Sequence, residues 1–397
     1  MSNDSFTTTT TTGYFSRIGK SLAGLIIGPL LIVGSVILLF WNEGRSVHTA
    51  ADLNETEKVV VSVPSETVDP ANDKKVVYVT GKANTEEELS DSQFNVSRNA
   101  LSLERKTQIY VWKENEKSST QKNLGGSETT TTTYTYEKIW SDRIIESKNF
   151  EHPEGHTNPT SMAVDSEKFV TGEATLGAFH LDKRIVDNLD GEQQLNLNKE
   201  DLNKVEEFDP IKLHDGGFYL GANPSSPQVG DISVKYFYID PTEVSVVAAQ
   251  SGKNLVVHTA SRGTSIGLIQ SGTHSAAELF NAKRSENTMI TWGLRLLGLM
   301  FCIIGFALIM KPLSVIADFV PFIGTIIGAG TGFIAGVLGL VVSTTTIAIA
   351  WIFYRPIIGI TLLAATGGFL YYYYRNRKKA AVKSAAASAD APVATAP

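Results

Sequence analysis

The chain has 397 residues, is 43% hydrophobic and 19% charged, and carries a net charge of −6. Residues 46–288 hold 24 of the 35 Lys and Arg and 37 of the 41 Asp and Glu, a net of −13, and the remainder has a net of +7. That division excludes a single soluble globule and a collagen-like or wholly disordered chain. One cysteine, Cys302, excludes an internal disulfide framework and a cysteine-based zinc site.

In chain order, residues 1–21 read as a disordered cytoplasmic head. Its six consecutive threonines offer little to bury, and Arg17 and Lys20 stand just before the first apolar run. Residues 22–41 contain no charge, and a helix of that length is about 30 Å long, the thickness of a bilayer core. A cleaved signal peptide would have a shorter apolar region ending in small residues. This one ends Leu-Leu-Phe-Trp-Asn-Glu-Gly-Arg and is read as an uncleaved anchor.

Residues 42–288 read as a mixed, mostly β domain. Strand signals fall at 59–63, 76–79, 107–112, 133–140, 232–239, 244–249, 255–259 and 264–269, punctuated by Gly and Pro. Residues 129–133 suit either a flexible segment or an edge strand. Residues 182–204 look partly helical, and 275–285 look like a helix leading into the second span. Asn54-Glu55-Thr56 and Asn95-Val96-Ser97 are glycosylation sequons that matter only in a eukaryote.

Three further spans are expected, at 289–310, 320–342 and 347–373, with the polar run Ser343–Thr346 as the turn between the last two. A basic tail, 374–397, is expected to be disordered and cytoplasmic. Four spans put the basic flanks, Arg17 and Lys20 before and Arg375, Arg377, Lys378, Lys379 and Lys383 after, on one side. The acidic domain then faces a lumen or periplasm. The fold class is therefore a multi-pass α-helical membrane protein of four spans with a large, mostly β lumenal or periplasmic domain.

Catalytic signals are weak. His152 and His156 are four apart, but Pro-Glu-Gly between them breaks the helix that a paired helical zinc site needs. No nucleophile elbow, phosphate loop or dinucleotide fingerprint is present. Neither a catalytic residue nor a metal or cofactor is assigned, and the acidic domain argues against nucleic acid. The membrane region is more informative. Gly324, Gly328, Gly332 and Gly336 form a helical stripe at which backbones can approach closely, either inside the bundle or between copies; a pore lining fits poorly, since the stripe offers no polar ligand. Arg295 and Arg355 each lie several residues inside a span, where an arginine must snorkel or pair. Glu43, at the end of the first span, is the expected partner of one or both. Pro356 is expected to kink the last span.

Several segments carry a family resemblance: Phe40-Trp41-Asn42-Glu43-Gly44-Arg45; Trp140, then Ser147-Lys148-Asn149-Phe150, Gly155-His156, Asn158-Pro159 and Met162-Ala163-Val164; Pro227 to Asp231; Ser275-Ala276-Ala277-Glu278 with Thr291 to Arg295; and Trp351 to Pro356. In order and spacing the chain resembles the transmembrane protein 43 family, also called LUMA. The resemblance implies four spans and one large lumenal domain. It also implies the endoplasmic reticulum and inner nuclear membrane as location, and envelope organisation through self-association and contacts with envelope and lamina proteins. In a bacterium the domain would be periplasmic, the location the inner (cytoplasmic) membrane, and lamina partners impossible. The resemblance supplies no catalytic site. The leading expectation is a non-enzymatic scaffold that meets membrane lipid and itself as a homo-oligomer. A channel or transport component and an envelope enzyme are the alternatives.

Overall fold

A computed structural model of the chain describes residues 4–357 and residue 361. The chain divides into two compact units: one comprises residues 1–19, 48–289 and 315–326, the other residues 20–47, 290–314 and 327–397.

The first unit is rich in strands. Its larger sheet contains β1 (Ser5–Thr12), β3 (Ser102–Lys122), β4 (Glu128–Ser141), β5 (Ile211–His214), β6 (Gly217–Leu220) and β7 (Ile232–Ile239), in the order β1-β4-β3-β7-β6-β5. Its second sheet is built around β2 (Val76–Asn84), which pairs antiparallel with β8 (Glu243–Ser251), itself flanked by β9 (Leu268–Ser271). β8 is buried from Val244 to Gln250, so its run of Val and Ala is apolar on both faces rather than alternating. One core gathers Val77, Leu101, Leu176, Phe179 and Val246, and a second gathers Phe94, Leu103, Ile109, Phe218 and Tyr236.

The head departs from expectation. Residues 5–12 form β1, paired with β4 over eight positions from Ser5–Thr135 to Thr12–Glu128. A threonine run is poor core material, but β-branching suits it to a strand. Residues 129–133 are thus strand, with the head as their neighbour. Behind β1, α1 (Tyr14–Leu22) carries Arg17, which donates to the Gly126 carbonyl at 2.6 Å and pairs with Asp318 at 2.5 Å and Glu128 at 2.7 Å. Lys122 pairs with Asp318 from the other side at 2.7 Å. Residue 59, expected in a strand, instead closes a helix.

The helices of the second unit are parts of three long ones. α2 runs Gly24–Val59, α3 Ala276–Ala317 and α4 Pro321–Tyr354, and each is long and apolar enough to cross a membrane. The expected turn at 343–346 is absent, because α4 continues through it. Its threonines are satisfied inside the helix: Thr344 Oγ1 donates to the Leu340 carbonyl at 2.7 Å and Thr346 Oγ1 to the Val342 carbonyl at 2.8 Å. The break falls instead at Arg355, where Pro356 supplies no amide donor. The described residues therefore hold three spans, not four. Residues 347–354 of the expected fourth span belong to α4, and its part beyond residue 357 and the basic tail lie outside the described residues, apart from residue 361.

The tight seam between helices also lies elsewhere than expected. A Cβ placed on Gly28 would meet the Gly305 carbonyl oxygen at 2.5 Å, and one on Gly298 would meet the Leu39 side chain at 2.6 Å. Backbones can approach that closely only where no side chain intervenes. Ser35 bridges the same seam, donating to the Gly298 carbonyl at 2.7 Å. Of the expected stripe, Gly324 packs on Asp318, within the first unit. Gly332 and Gly336 meet no heavy atom within 4 Å among the described residues.

Candidate functional site: a polar cluster among the membrane helices

Three helices bring polar groups to one place in the second unit. Glu43 on α2 is 1% exposed, and both its carboxylate oxygens are engaged. Arg295 on α3 grips it at two points, Nε to Oε1 at 2.6 Å and Nη2 to Oε2 at 2.9 Å. Trp351 on α4 donates its indole N–H to Oε2 at 2.8 Å. The Arg295 guanidinium also lies over the rings of Trp292 and Trp351, 4.8 Å and 5.8 Å from their centroids. A two-point arginine–carboxylate pair fixes direction as well as distance, and the two indoles supply a negative face to a cation that has left water.

One residue earlier on α2, Asn42 is fully buried and donates its amide to the Thr291 carbonyl at 3.0 Å. Arg45 donates to Asn42 Oδ1 at 3.3 Å and to Thr291 Oγ1 at 3.1 Å. Between them Gly44 leaves room for the Tyr354 ring: a Cβ there would stand 2.7 Å from it. Asn42, Glu43, Gly44 and Arg45 thus each have a separate reason to be what they are. The expected Glu43–Arg295 juxtaposition is present. Arg355 joins no ion pair among the described residues. The Trp351 indole and the Asn42–Thr291–Arg45 bonds were missed, although the placement of Trp351 at the same end of its span as Glu43 was a usable signal.

The other candidate residues are dispersed. His156 is buried, its Nδ1 2.9 Å from the His152 carbonyl and its Nε2 2.8 Å from Asp4 Oδ2, and it stacks on Tyr136 at 3.8 Å. His152 packs on Phe6 at 4.2 Å, so the two histidines help seat the head. Burial, and the hydrogen bond it gives to Glu114, push the Tyr136 hydroxyl up to about 12. Asn54 lies within α2 and accepts from Arg284 at 2.9 Å. Asn95 sits at φ 52° and donates to the Lys204 carbonyl at 2.8 Å.

Two buried groups have a bonding role that nothing in the sequence indicated. Asn158 replaces a strand for β3: its Oδ1 accepts from the Trp112 amide at 2.7 Å, and its Nδ2 donates to the Trp112 and Ile145 carbonyls at 2.8 and 2.9 Å. Asp91 accepts from Arg105 and from the Tyr236 hydroxyl, the latter at 2.6 Å. Burial, together with that bond to a carboxylate, pushes the Tyr236 hydroxyl well above its ordinary range.

The family model described as Transmembrane protein 43 matches residues 109–356, from within β3 to the proline that follows Arg355. Transmembrane protein 43 of Homo sapiens is 33% identical over 87% of this chain and 88% of its own length. The Mus musculus protein is 32% identical over the same shares. The Drosophila melanogaster homolog is 29% identical over 86% of this chain and 91% of its own. No solved structure matches. The segments that converge on Glu43 lie in α2, α3 and α4, and with these relatives spanning nearly the whole chain, it belongs to the Transmembrane protein 43 family.

Proposed function

We propose that this protein is a non-enzymatic membrane scaffold that associates with further copies of itself. The observation that carries the reading is a contrast within the second unit. Arg295 of α3 and Trp351 of α4 are turned inward on Glu43 of α2, whereas among the described residues α4 leaves Gly332 and Gly336 open beside the exposed Phe333, Val337 and Leu340. A face of small and large apolar residues suits close approach of another helix in lipid. The basic flanks favour the lumenal or periplasmic side for the acidic domain. In a eukaryote the resemblance points to the endoplasmic reticulum and inner nuclear membrane, with envelope and lamina proteins as partners. The channel reading loses its motive at Arg295, whose charge is held by Glu43.

Replacing Gly332 and Gly336 with Leu tests the scaffold. A Cβ at either position meets no heavy atom within 4 Å among the described residues, so the fold is expected to survive while crosslinking between copies in native membranes falls. Unchanged crosslinking would remove this face as the interface.

A further inference from the structure

The outer edge of β4 is occupied by a strand of its own kind. Residues 5–12 include six consecutive threonines, and the edge they cover includes five, Thr129–Thr133. The hydroxyls of Thr7 and Thr133 meet at 3.4 Å and those of Thr11 and Thr129 at 3.3 Å. Here the β3–β4 hairpin has left the core, since residues 116–121 are exposed.

The partner strand of the hairpin makes a useful contrast. Beyond Trp112, β3 carries Lys113, Glu114, Glu116, Lys117 and Lys122, the charged character of an edge protected against pairing. β4 carries no charge from residue 129 to 136. It has the composition of an edge meant to be covered. Any strand with its own threonine chemistry fits it, because the backbone bonds are general and the side chains are one repeated hydroxyl and methyl.

Between β1 and β4 in sequence lies the apolar run 22–41. When that run crosses a bilayer, residues 5–12 and 128–135 stand in different compartments, and β4 loses its cover. We propose that β4 is the strand through which two copies of this chain pair edge to edge, residues 5–12 covering it until the first span crosses. The partner is the β4 of a second copy, antiparallel and centred near Thr131. The proposal rests on the self-association reading but uses a surface outside the lipid.

The test is oxidative crosslinking of the full chain in native membranes. Thr131→Cys is expected to give a disulfide dimer, whereas Ser119→Cys, on the charged strand, gives none; the unmodified chain, whose Cys302 is buried, is the control. Adding Thr130→Lys to the Thr131→Cys chain is expected to abolish the dimer. In the Gly332→Leu/Gly336→Leu background the β4 disulfide is expected to persist, so loss of the helix face and loss of the strand edge are told apart. The absence of a Thr131→Cys dimer overturns the proposal, as does equal dimer formation at positions 119 and 131. So does a Thr9→Cys/Thr131→Cys chain that closes only an internal disulfide, because the head then still holds the edge in the membrane.

Discussion

At the scale of single residues, the chain solves one costly problem repeatedly: a buried polar group must find its partners. Glu43 and Arg295 satisfy each other, and Trp351 gives Glu43 Oε2 a second donor. Removing one member of a buried pair typically costs about 3–5 kcal/mol, mostly because the survivor is left alone. Glu43→Gln and Arg295→Met should therefore each lower the thermal unfolding midpoint in micelles sharply, and the double variant should regain much of the loss. Simple additivity of the two would show that the charges do not depend on each other. Asn158 is the corresponding case among the strands. Asn158→Ala leaves one amide and two carbonyls without partners, at a cost of about 2–4 kcal/mol. Asn158→Asp should do no better in denaturant unfolding, because a carboxylate accepts from Trp112 but cannot donate to either carbonyl.

At the scale of elements, the sequence was most readable where one physical demand acts alone. Length without charge located the apolar parts of α2 and α3 but cut α4 in two at residues 343–346, and Ser275-Ala276-Ala277-Glu278 proves to be the capping box that opens α3. Glu278 N–H donates to Ser275 Oγ at 3.3 Å, and Ser275 N–H donates to Glu278 Oε2 at 2.7 Å. Two features were unreadable because satisfaction is local or distant. Polar Thr344 and Thr346 look like a turn until their hydroxyls are seen bonded back along the helix. The threonine head looks disordered until β4 is present to pair with it. Ser275→Ala should cost about 1 kcal/mol, read as faster amide exchange in the first turn of α3. The pH dependence follows from the carboxylates. Bonds from the Ser275 amide and hydroxyl hold Glu278 below the usual range. Burial alone would raise Asp52, but bonds from Thr264 and Arg262 outweigh it and hold that carboxyl low. Folded values below unfolded ones give stability that is present above the ordinary carboxylate range and lost as pH falls through the folded values. Asp52→Asn should flatten that acid limb of a stability–pH curve; a limb of unchanged steepness would assign it to other groups.

At the scale of the whole molecule, the opening division of charge becomes a question of sidedness. Within the second unit, Trp351 reaches Glu43, so α4 finishes at the end of the bundle from which the chain enters the acidic domain. If α2, α3 and α4 each cross, residue 357 ends on the side at which α2 leaves the bilayer. The positive-inside rule puts Arg375, Arg377, Lys378 and Lys379 on the opposite side. Both hold only if the chain crosses once more between them, and the uncharged run from 358 to 374 has 17 residues, at the short limit for a span. An impermeant maleimide applied to sealed vesicles discriminates. Ile357→Cys and Ser225→Cys, an exposed position of the domain, should label from one side, and Val393→Cys from the other. If Val393→Cys labels together with Ser225→Cys, the return crossing does not exist. The basic tail would then lie beside the acidic domain, and its charges would be free to act on that domain rather than to orient the chain.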